Sequence, residues 1–367
     1  MNKDLIEKIW TIDSEDDRKG TWWWWFWLFF IDNPKNPEKP HQLMILWSTK
    51  NEKSIKCNNR TFSFPHDIKF SKNKAEFDGV TAAWYYNGKM HHNYILEECD
   101  LTLSKKPYLL KADSKNKTSF FEKNGKFKVL INNGKDKFDF TMAIDEKDPF
   151  TKYTYTKGKY PLDMSYSALG VPKTDLNGTI TEGNKKTKIK GTAYFQYVIV
   201  NAPSPSWYWG IFHFKEGSIL SYFNPHIGPA VLKGNLVSGN LTKKILEHGN
   251  LHLGDDLYFL NKKSGKKEAF KVKKIKNKKN KDGLPLFEVK AQNKDAEISF
   301  EVDCYSDSYW EFDKKSAGVI NSRLRYNEYP AIVRNFTLKD KKGKVLVNHE
   351  EIGNAVGNAE HSWGMLL

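Results

Sequence analysis

Alternation of apolar and polar positions dominates this chain, and sustained helical periodicity is almost absent. The alternation is clearest in 138–142, 188–195 and 297–302. Because successive side chains of a strand point to opposite faces, this pattern predicts strands with one buried face. Turn pairs such as Asn124-Gly125 and Asn133-Gly134 separate the β-rich runs, as hairpins require. We therefore predict an all-β chain of antiparallel sheets that close into barrels or pack as sandwiches.

Residues 22–30 depart from this alternation, because they read WWWWFWLFF and are apolar at every position. After a polar turn, a second apolar run follows at 43–47, which predicts a pair of strands with two apolar faces. One face can belong to the core of a barrel. The other then needs a second domain, an oligomer partner or a bound hydrophobic molecule to cover it.

The length of the chain predicts two domains. A chain of 367 residues exceeds what one hydrophobic core usually serves. The turn NAPSPS at 201–206 has two prolines, which cannot sit inside a central strand. We place the boundary there, with one β domain at 1–200 and another at 201–367.

Cysteine content and the amino terminus predict a cytoplasmic protein. The three cysteines are widely spaced and form no CxxC motif, which favours a reducing compartment over a disulfide scaffold or a zinc cage. The apolar run at 22–30 is too short to cross a bilayer as a helix, and no signal-peptide pattern precedes it.

The charge of the chain does not predict nucleic-acid binding. The formal net charge is +15, but only five of the 59 basic residues are arginine, the residue that best reads bases and phosphates. The densest basic stretch, 262–281, has apolar residues between its lysines, as one solvated face of a hairpin would. Peripheral contact of this stretch with an anionic membrane surface is the alternative.

Several short motifs, in order along 22–218, resemble those of AttH-type proteins, the group that contains the carotenoid hydratases (hydroxyneurosporene synthases). The similar segments are TWWWWFWLFF at 21–30, HQLMILWS at 41–48, YSAL at 166–169, LNGTI at 176–180, KGTAY at 190–194, WYWG at 207–210 and KEGS at 215–218. The first segment lacks the glutamate and tyrosine of the family motif.

This resemblance implies two lipocalin-like antiparallel β-barrels packed side by side, with an apolar ligand in a barrel or between the two. Members of this group include hydratases, cyclases and lipid carriers, so the fold does not fix the chemistry. A hydratase must protonate an alkene with a buried acid. The family has an aspartate two residues after the aromatic residue of the KGTAY-like strand, where this chain has Gln196. Glutamine cannot supply that proton.

The aromatic residues supply the candidate binding site, because tryptophan and tyrosine combine a large apolar face with one polar group. The predicted ligand-binding residues are Trp23, Trp25, Trp27, Trp84, Tyr86, Tyr194, Gln196, Trp207 and Trp209. We favour a protein that binds or carries a hydrophobic small molecule such as an isoprenoid, a carotenoid or a lipid. The alternative is an enzyme that acts on such a molecule, a hydratase-like lyase or a cyclase or isomerase.

His213 is the first-ranked candidate for a catalytic acid among weak choices, since it lies in an aromatic strand after Trp209. No metal site is predicted, because the neighbouring His91 and His92 point to opposite faces of a strand. No nucleotide-binding, hydrolase or metalloprotease motif occurs, and we predict no cofactor.

Overall fold

The computed structural model describes residues 3–12, 18–144, 148, 152–159, 164–202, 206–227, 251–316 and 320–366. Strands make up 71% of the structure. Its described part contains two short helices, α1 (Lys3–Ile9) and α2 (His349–Ile352). The strands form two closed antiparallel barrels, which confirms the predicted all-β class and the pair of barrels.

The first barrel has ten strands in its closed ring, and strand β11 pairs with β13 to complete the closure. The strands of this sheet are β1 (Trp22–Ile31), β2 (His41–Lys50), β5 (Lys69–Ser71), β6 (Lys74–Tyr86), β7 (Met90–Lys105), β8 (Tyr108–Asp113), β9 (Lys117–Lys123), β10 (Lys126–Asn132), β11 (Asp136–Ala143), β12 (Thr154–Lys159), β13 (Ser165–Glu182) and β14 (Lys185–Asn201). Strands β5 and β12 pair at its edges, outside the ring.

The second barrel has eight strands in its ring, which closes where β21 pairs with β23. The strands of this sheet are β3 (Ser54–Cys57), β4 (Arg60–Ser63), β15 (Ser206–Phe214), β16 (Ile219–Ile227), β17 (Leu251–His252), β18 (Asp256–Asn261), β19 (Lys266–Lys279), β20 (Pro285–Gln292), β21 (Ala296–Cys304), β22 (Ser308–Ser316), β23 (Ile320–Asp340), β24 (Val345–Asn348) and β25 (Ala355–Leu366).

The hairpin between β9 and β10 forms at the predicted Asn124-Gly125 pair. Both residues have positive φ, 54° and 72°, as the commonest two-residue hairpin turn requires. Asparagine tolerates this left-handed region better than most residues, and glycine has no Cβ to clash there. The local sequence therefore sets the register of this hairpin.

Strand β1 lies between β2 and β14, and its two faces meet different cores. The odd-numbered side chains, including Trp23, Trp25 and Trp27, belong to the core of the first barrel. The even-numbered side chains, including Phe26 and Phe30, belong to a separate core shared with residues of the second barrel. Of the three covers predicted for the outer face, the structure supplies the second barrel.

The hairpin β3–β4 comes from the first half of the chain but pairs with β22 of the second sheet. Cys57 lies opposite Phe312. The Asn58 backbone N–H donates to the Glu311 carbonyl at 2.9 Å, and the Asn58 side-chain oxygen accepts from the Glu311 backbone N–H at 2.8 Å. Apart from this hairpin, the two sheets follow the predicted boundary. The division into domains at residue 200 stays a prediction, and residues 203–205 of its turn lie outside the described residues.

Helix α1 and the residues after it close one end of the first barrel. Ile9 and Trp10 are almost fully buried, and the Trp10 ring lies 4.9 Å from that of Phe120. The indole of Trp25 donates to the Ile9 carbonyl at 2.8 Å, and Tyr197 donates to the Thr11 carbonyl at 2.8 Å. The amino-terminal segment is therefore part of the core of this barrel.

Candidate functional site

The candidate site lies in the surface where the two barrels pack together, which we call the seam. The seam is lined by the outer faces of β1, β2, β6 and β14 and by side chains of β15, β22 and β23. Strand β25 lies between β15 and β23 and turns one face to the same side. The fully buried members of the seam include Phe26, Trp84, Ile211 and Trp310. Because each barrel contributes one face, residues far apart in sequence meet here.

Half-buried aromatic side chains surround this buried core, and we call them the aromatic rim. The rim consists of Trp24, Tyr166, Trp207, Trp209 and Tyr326. Trp209 contacts Tyr194 of the first barrel with ring centroids 5.3 Å apart. Trp207 and Tyr326 lie 5.9 Å apart within the second barrel. The rim thus presents partly accessible aromatic faces from both barrels.

Two glutamates lie buried beneath the rim, directly opposite each other on neighbouring strands. Glu328 of β23 pairs in register with Glu360 of β25, and their exposures are 0% and 6%. The Trp207 indole donates to one oxygen of Glu360 at 2.6 Å, and the Tyr326 hydroxyl donates to the other at 2.7 Å. The Tyr326 hydroxyl gives its one hydrogen to Glu360, and neither oxygen of Glu328 has a hydrogen-bond partner among the described residues.

Burial determines the protonation of this carboxyl pair. It raises the pKa of Glu360 to about 7, against the opposing effect of the hydrogen bonds from Trp207 and Tyr326. Burial, and then the charge of Glu360, raise the pKa of Glu328 well above its ordinary value. No basic side chain in the described ranges forms a salt bridge with either carboxyl. The pair therefore holds at least one proton near neutral pH.

Six of the predicted ligand-binding residues come together at the seam. Trp84, Tyr86, Tyr194, Trp207 and Trp209 all belong to the shared core or pack against it. The sixth, Gln196, is half-buried and pairs with Phe26, a seam residue, so it faces the same side. All six therefore lie in the same region, and their role in binding stays a prediction.

The other three, Trp23, Trp25 and Trp27, point into the first barrel and have 0% exposure. Trp25 stacks on Tyr197 with centroids 4.8 Å apart, and Trp27 lies 4.8 Å from Phe195. Side chains packed in this way leave no room for a ligand-sized guest against these indoles. Ligand binding by these three residues stays a prediction, and it would require the barrel to open.

His213 also lies at the seam, but both of its ring nitrogens are engaged. Nε2 lies 2.8 Å from the Pro172 carbonyl, so it carries the hydrogen, and Nδ1 then accepts from the Thr192 hydroxyl at 2.7 Å. Burial lowers the pKa of His213 to about 3, helped by the positive charge of Lys173. A neutral imidazole with two partners connects the barrels, and these contacts do not favour a role as proton donor.

Sequence reasoning missed the carboxyl pair. Its members are 32 positions apart, and they meet only because β23 and β25 pair in this register. The available signal was weak, since Glu328 directly precedes the apolar run YPAIV at 329–333 and Glu360 is the one acidic residue of AVGNAEHSWGML at 355–366. Such a residue on a seam-facing position is rarely buried without a purpose.

Two surface clefts lie mostly outside the seam, and the first touches the seam core at Phe64. The first, of about 450 Å³, is lined by residues that include Lys50, His66 and Asp78. The second, of about 440 Å³, lies over β8 to β10 and includes Tyr108 and Phe121. Neither contains a predicted ligand-binding residue, so the clefts do not coincide with the candidate site.

The basic stretch 262–281 contains a turn and the whole of β19, as predicted for a hairpin. Part of its charge is neutralised locally, since Lys271 contacts Asp255 and Asp256 at 2.9 and 2.8 Å. Lys276 lies 3.9 Å from Glu288. Contact of this stretch with an anionic membrane surface stays a prediction, as does the expected lack of nucleic-acid binding.

Two negative findings apply to the residues that the structure describes. Neither helix there is long and apolar enough to cross a membrane. No group of three or more histidine, cysteine, aspartate or glutamate side chains in those ranges is placed to hold a metal ion.

No protein-family model matches this sequence, and no curated protein matches it. Among solved structures, the chain is similar to a Nitrosomonas europaea protein provisionally assigned as AttH, with 11% identity, a TM-score of 0.49, and coverage of 95% of this chain and 96% of that one. It is also similar to kievitone hydratase from Nectria haematococca, with 10% identity, a TM-score of 0.42, and coverage of 96% and 93%. At these values no residue role passes to this chain.

Proposed function

We propose that the seam binds an apolar, unsaturated small molecule and that the Glu328–Glu360 pair transfers protons to and from it. The observation that carries this proposal is a buried carboxyl pair that keeps a proton near neutral pH beneath aromatic rings. Such an acid can add its proton to a carbon-carbon double bond, which is a poor base and needs a positioned donor.

The geometry divides the roles between the two glutamates. Glu328 donates its proton to one alkene carbon, because its pKa is raised well above the ordinary value and its oxygens accept no hydrogen bond from the described residues. The electron pair of the double bond forms the new C–H bond. The neighbouring carbon becomes a cation, which the faces of Trp207 and Tyr326 stabilise, since both rings adjoin Glu360. Loss of a proton from the cation to the Glu360 carboxylate gives an isomer. Attack by a second double bond gives a ring and a new cation, which loses its proton to Glu360. Attack by water, followed by loss of a proton to Glu360, gives an alcohol.

A binder or carrier without chemistry is the second candidate. Gln196, which replaces the aspartate expected from the resemblance, favours it, because it removes an acid from the first barrel's side of the seam. The AttH-like and hydratase structures are compatible with both candidates, since a similar fold does not determine chemistry.

Deuterium uptake tests the proposal and separates the two candidates. The purified protein is first extracted, and any co-purified apolar molecule is identified by mass spectrometry. That molecule, and geraniol as a defined isoprenoid probe, are then incubated with the protein in D₂O. Proton transfer to carbon replaces hydrogen with deuterium and raises the mass of the probe.

We expect uptake with the wild-type protein, none with Glu328→Gln, and unchanged binding of the probe to both. Glu311→Gln is the matched control, because Glu311 is a more exposed carboxyl of the same sheet, 3.0 Å from Arg325. Uptake that survives Glu328→Gln would exclude the carboxyl pair. Binding without uptake in the wild type would leave the carrier as the function.

A further inference from the structure

Within the part of the chain that the structure describes, three buried polar side chains of the seam have atoms without hydrogen-bond partners. They are Gln42, Glu328 and Asn358, each with 0% exposure. Gln42 leaves its Oε1 unpaired, Glu328 both carboxyl oxygens, and Asn358 both its Oδ1 and its Nδ2. Buried polar atoms almost always have a partner, so this concentration of unpaired atoms calls for one.

The three side chains come from both barrels and lie at neighbouring positions of the seam. Gln42 of the first barrel donates from Nε2 to the Gly357 carbonyl at 2.9 Å, and Gly357 precedes Asn358. Asn358 and Glu360 lie two residues apart on the seam face of β25. Glu328 is opposite Glu360, and Pro330 is opposite Asn358. We call Gln42, Glu328 and Asn358 the polar anchor.

The unpaired atoms specify the chemistry of a partner. The Asn358 amide offers a nitrogen that can donate and an oxygen that can accept, and Gln42 and Glu328 add further oxygens. A hydroxyl group matches this set, because it accepts one hydrogen bond and donates another. A purely hydrocarbon ligand would leave all of these atoms unpaired, and that is unfavourable for every one of them.

We infer that the polar anchor binds a hydroxyl group of the ligand, so that the protein selects apolar alcohols over the corresponding hydrocarbons. This inference rests on the proposed binding of an apolar molecule at the seam and names its substrate class. It does not depend on proton transfer, because a carrier would show the same selectivity. An ordered water molecule in the anchor is the competing occupant.

The test compares geraniol with the hydrocarbon that lacks only its hydroxyl, by quenching of tryptophan fluorescence. The wild type is expected to bind geraniol about ten-fold or more tightly than the hydrocarbon. Asn358→Leu, which has nearly the same shape, should lose this preference. If both probes bind the wild type equally, water occupies the anchor and the inference fails. If neither binds, the proposed seam site fails with it.

A thermal readout guards against a variant that merely misfolds. Replacing an unpaired buried amide by leucine removes an unfavourable burial, so the Tm of Asn358→Leu without ligand should rise by about 2 °C or more. Asn201→Leu is the matched control, because the Asn201 amide is buried but donates to the Lys19 carbonyl and the Thr21 hydroxyl. Its Tm should fall. A fall in Tm for both variants would mean that the Asn358 amide is already paired, and would overturn the inference.

Discussion

The interior of the first barrel and the seam contain similar aromatic residues but differ in their polar content. In the barrel, Trp27 and its neighbours Phe29 and Phe195 form a dry cluster of stacked and tilted rings. In the seam, aromatic rings of both barrels surround Glu328 and Glu360. The two regions lie on opposite faces of the same sheet.

The barrel interior therefore contributes mainly to stability, whereas the seam contains the groups that can take part in chemistry. Aromatic rings packed against one another bury a large apolar area and hold the barrel closed, but they offer nothing that can move a proton. Buried carboxyls oppose folding unless something stabilises them, so their retention indicates a use. Abundance of tryptophan alone therefore does not mark a binding site.

The largest expected effect comes from two tryptophans of β1 that face opposite sides. Trp27→Ala removes a side chain with 0% exposure from the barrel core and should lower the free energy of unfolding by about 3–5 kcal/mol. Trp24→Ala, at the half-buried rim, should lower it by less than about 2 kcal/mol but weaken binding of geraniol. Urea denaturation and fluorescence titration measure the two effects. Equal losses of stability would contradict the contrast.

The substitution His213→Ala should have the next largest effect, a loss of about 2–3 kcal/mol in the free energy of unfolding. The substitution leaves the buried Pro172 carbonyl and the Thr192 hydroxyl without their present partner and opens a small cavity. Because His213 holds the barrels together as a neutral ring, probe binding and deuterium uptake should persist in the variant at a temperature where it is folded. Loss of uptake with binding intact would instead restore His213 as the catalytic group.

The pH dependence of stability should reveal the seam carboxyls. The pKa of Glu360 is raised from 4.5 when unfolded to about 7 when folded, so the folded state binds the proton more tightly. Its contribution to stability is therefore full below pH 4.5 and falls as the pH rises to about 7. Relative to Glu360→Gln, the wild type should lose roughly 2 kcal/mol between pH 5 and 8.

The quantity to measure is the difference in stability between the wild type and Glu360→Gln at each pH, because buried histidines change stability with pH in the opposite direction. Burial lowers the pKa of His361 to about 4, so its contribution to stability grows as the pH rises toward 6.5. Both proteins keep this histidine and its effect cancels. A pH-independent difference in Tm would show that Glu360 titrates normally.

The smallest effect is expected at the edge of the seam. Glu38 of the first barrel accepts from Arg334 at 2.9 Å and from Asn354 at 2.7 Å, and its side chain is half exposed. Glu38→Ala should cost no more than about 1 kcal/mol, and salt should reduce that cost. If Glu38→Ala lowered the free energy of unfolding as much as Trp27→Ala, surface ion pairs would be a main source of the stability of the two barrels.

Much of the fold could be predicted, because it rests on local patterns. Alternation and turn chemistry identified the strands, the hairpin at Asn124-Gly125, and the pairing of the tryptophan run with 43–47. The requirement that both faces of 22–30 be covered anticipated a second core. The excursion of β3–β4 to the other sheet could not be predicted, since it depends on a pairing partner about 255 positions away.

The site was predicted only in part. Aromatic content identified five seam residues, and the resemblance added Gln196. Aromatic content assigned the same role to Trp23, Trp25 and Trp27, because a strand alone does not tell which face meets a barrel interior. The two glutamates could not be predicted as site residues, because only their burial distinguishes them from surface glutamates. Glu328 and Glu360 become buried when two distant strands align.

The hairpin β3–β4 has a consequence for how the halves of this protein can exist apart. A fragment ending near residue 200 would carry a hairpin with a bare edge, and the complementary fragment would lack the neighbour of β22. Besides their packing at the seam, the two halves are thus connected by the chain itself and by the pairing of β3 with β22. Fragment complementation, with both pieces refolded together, is the condition under which each half regains its full set of pairings.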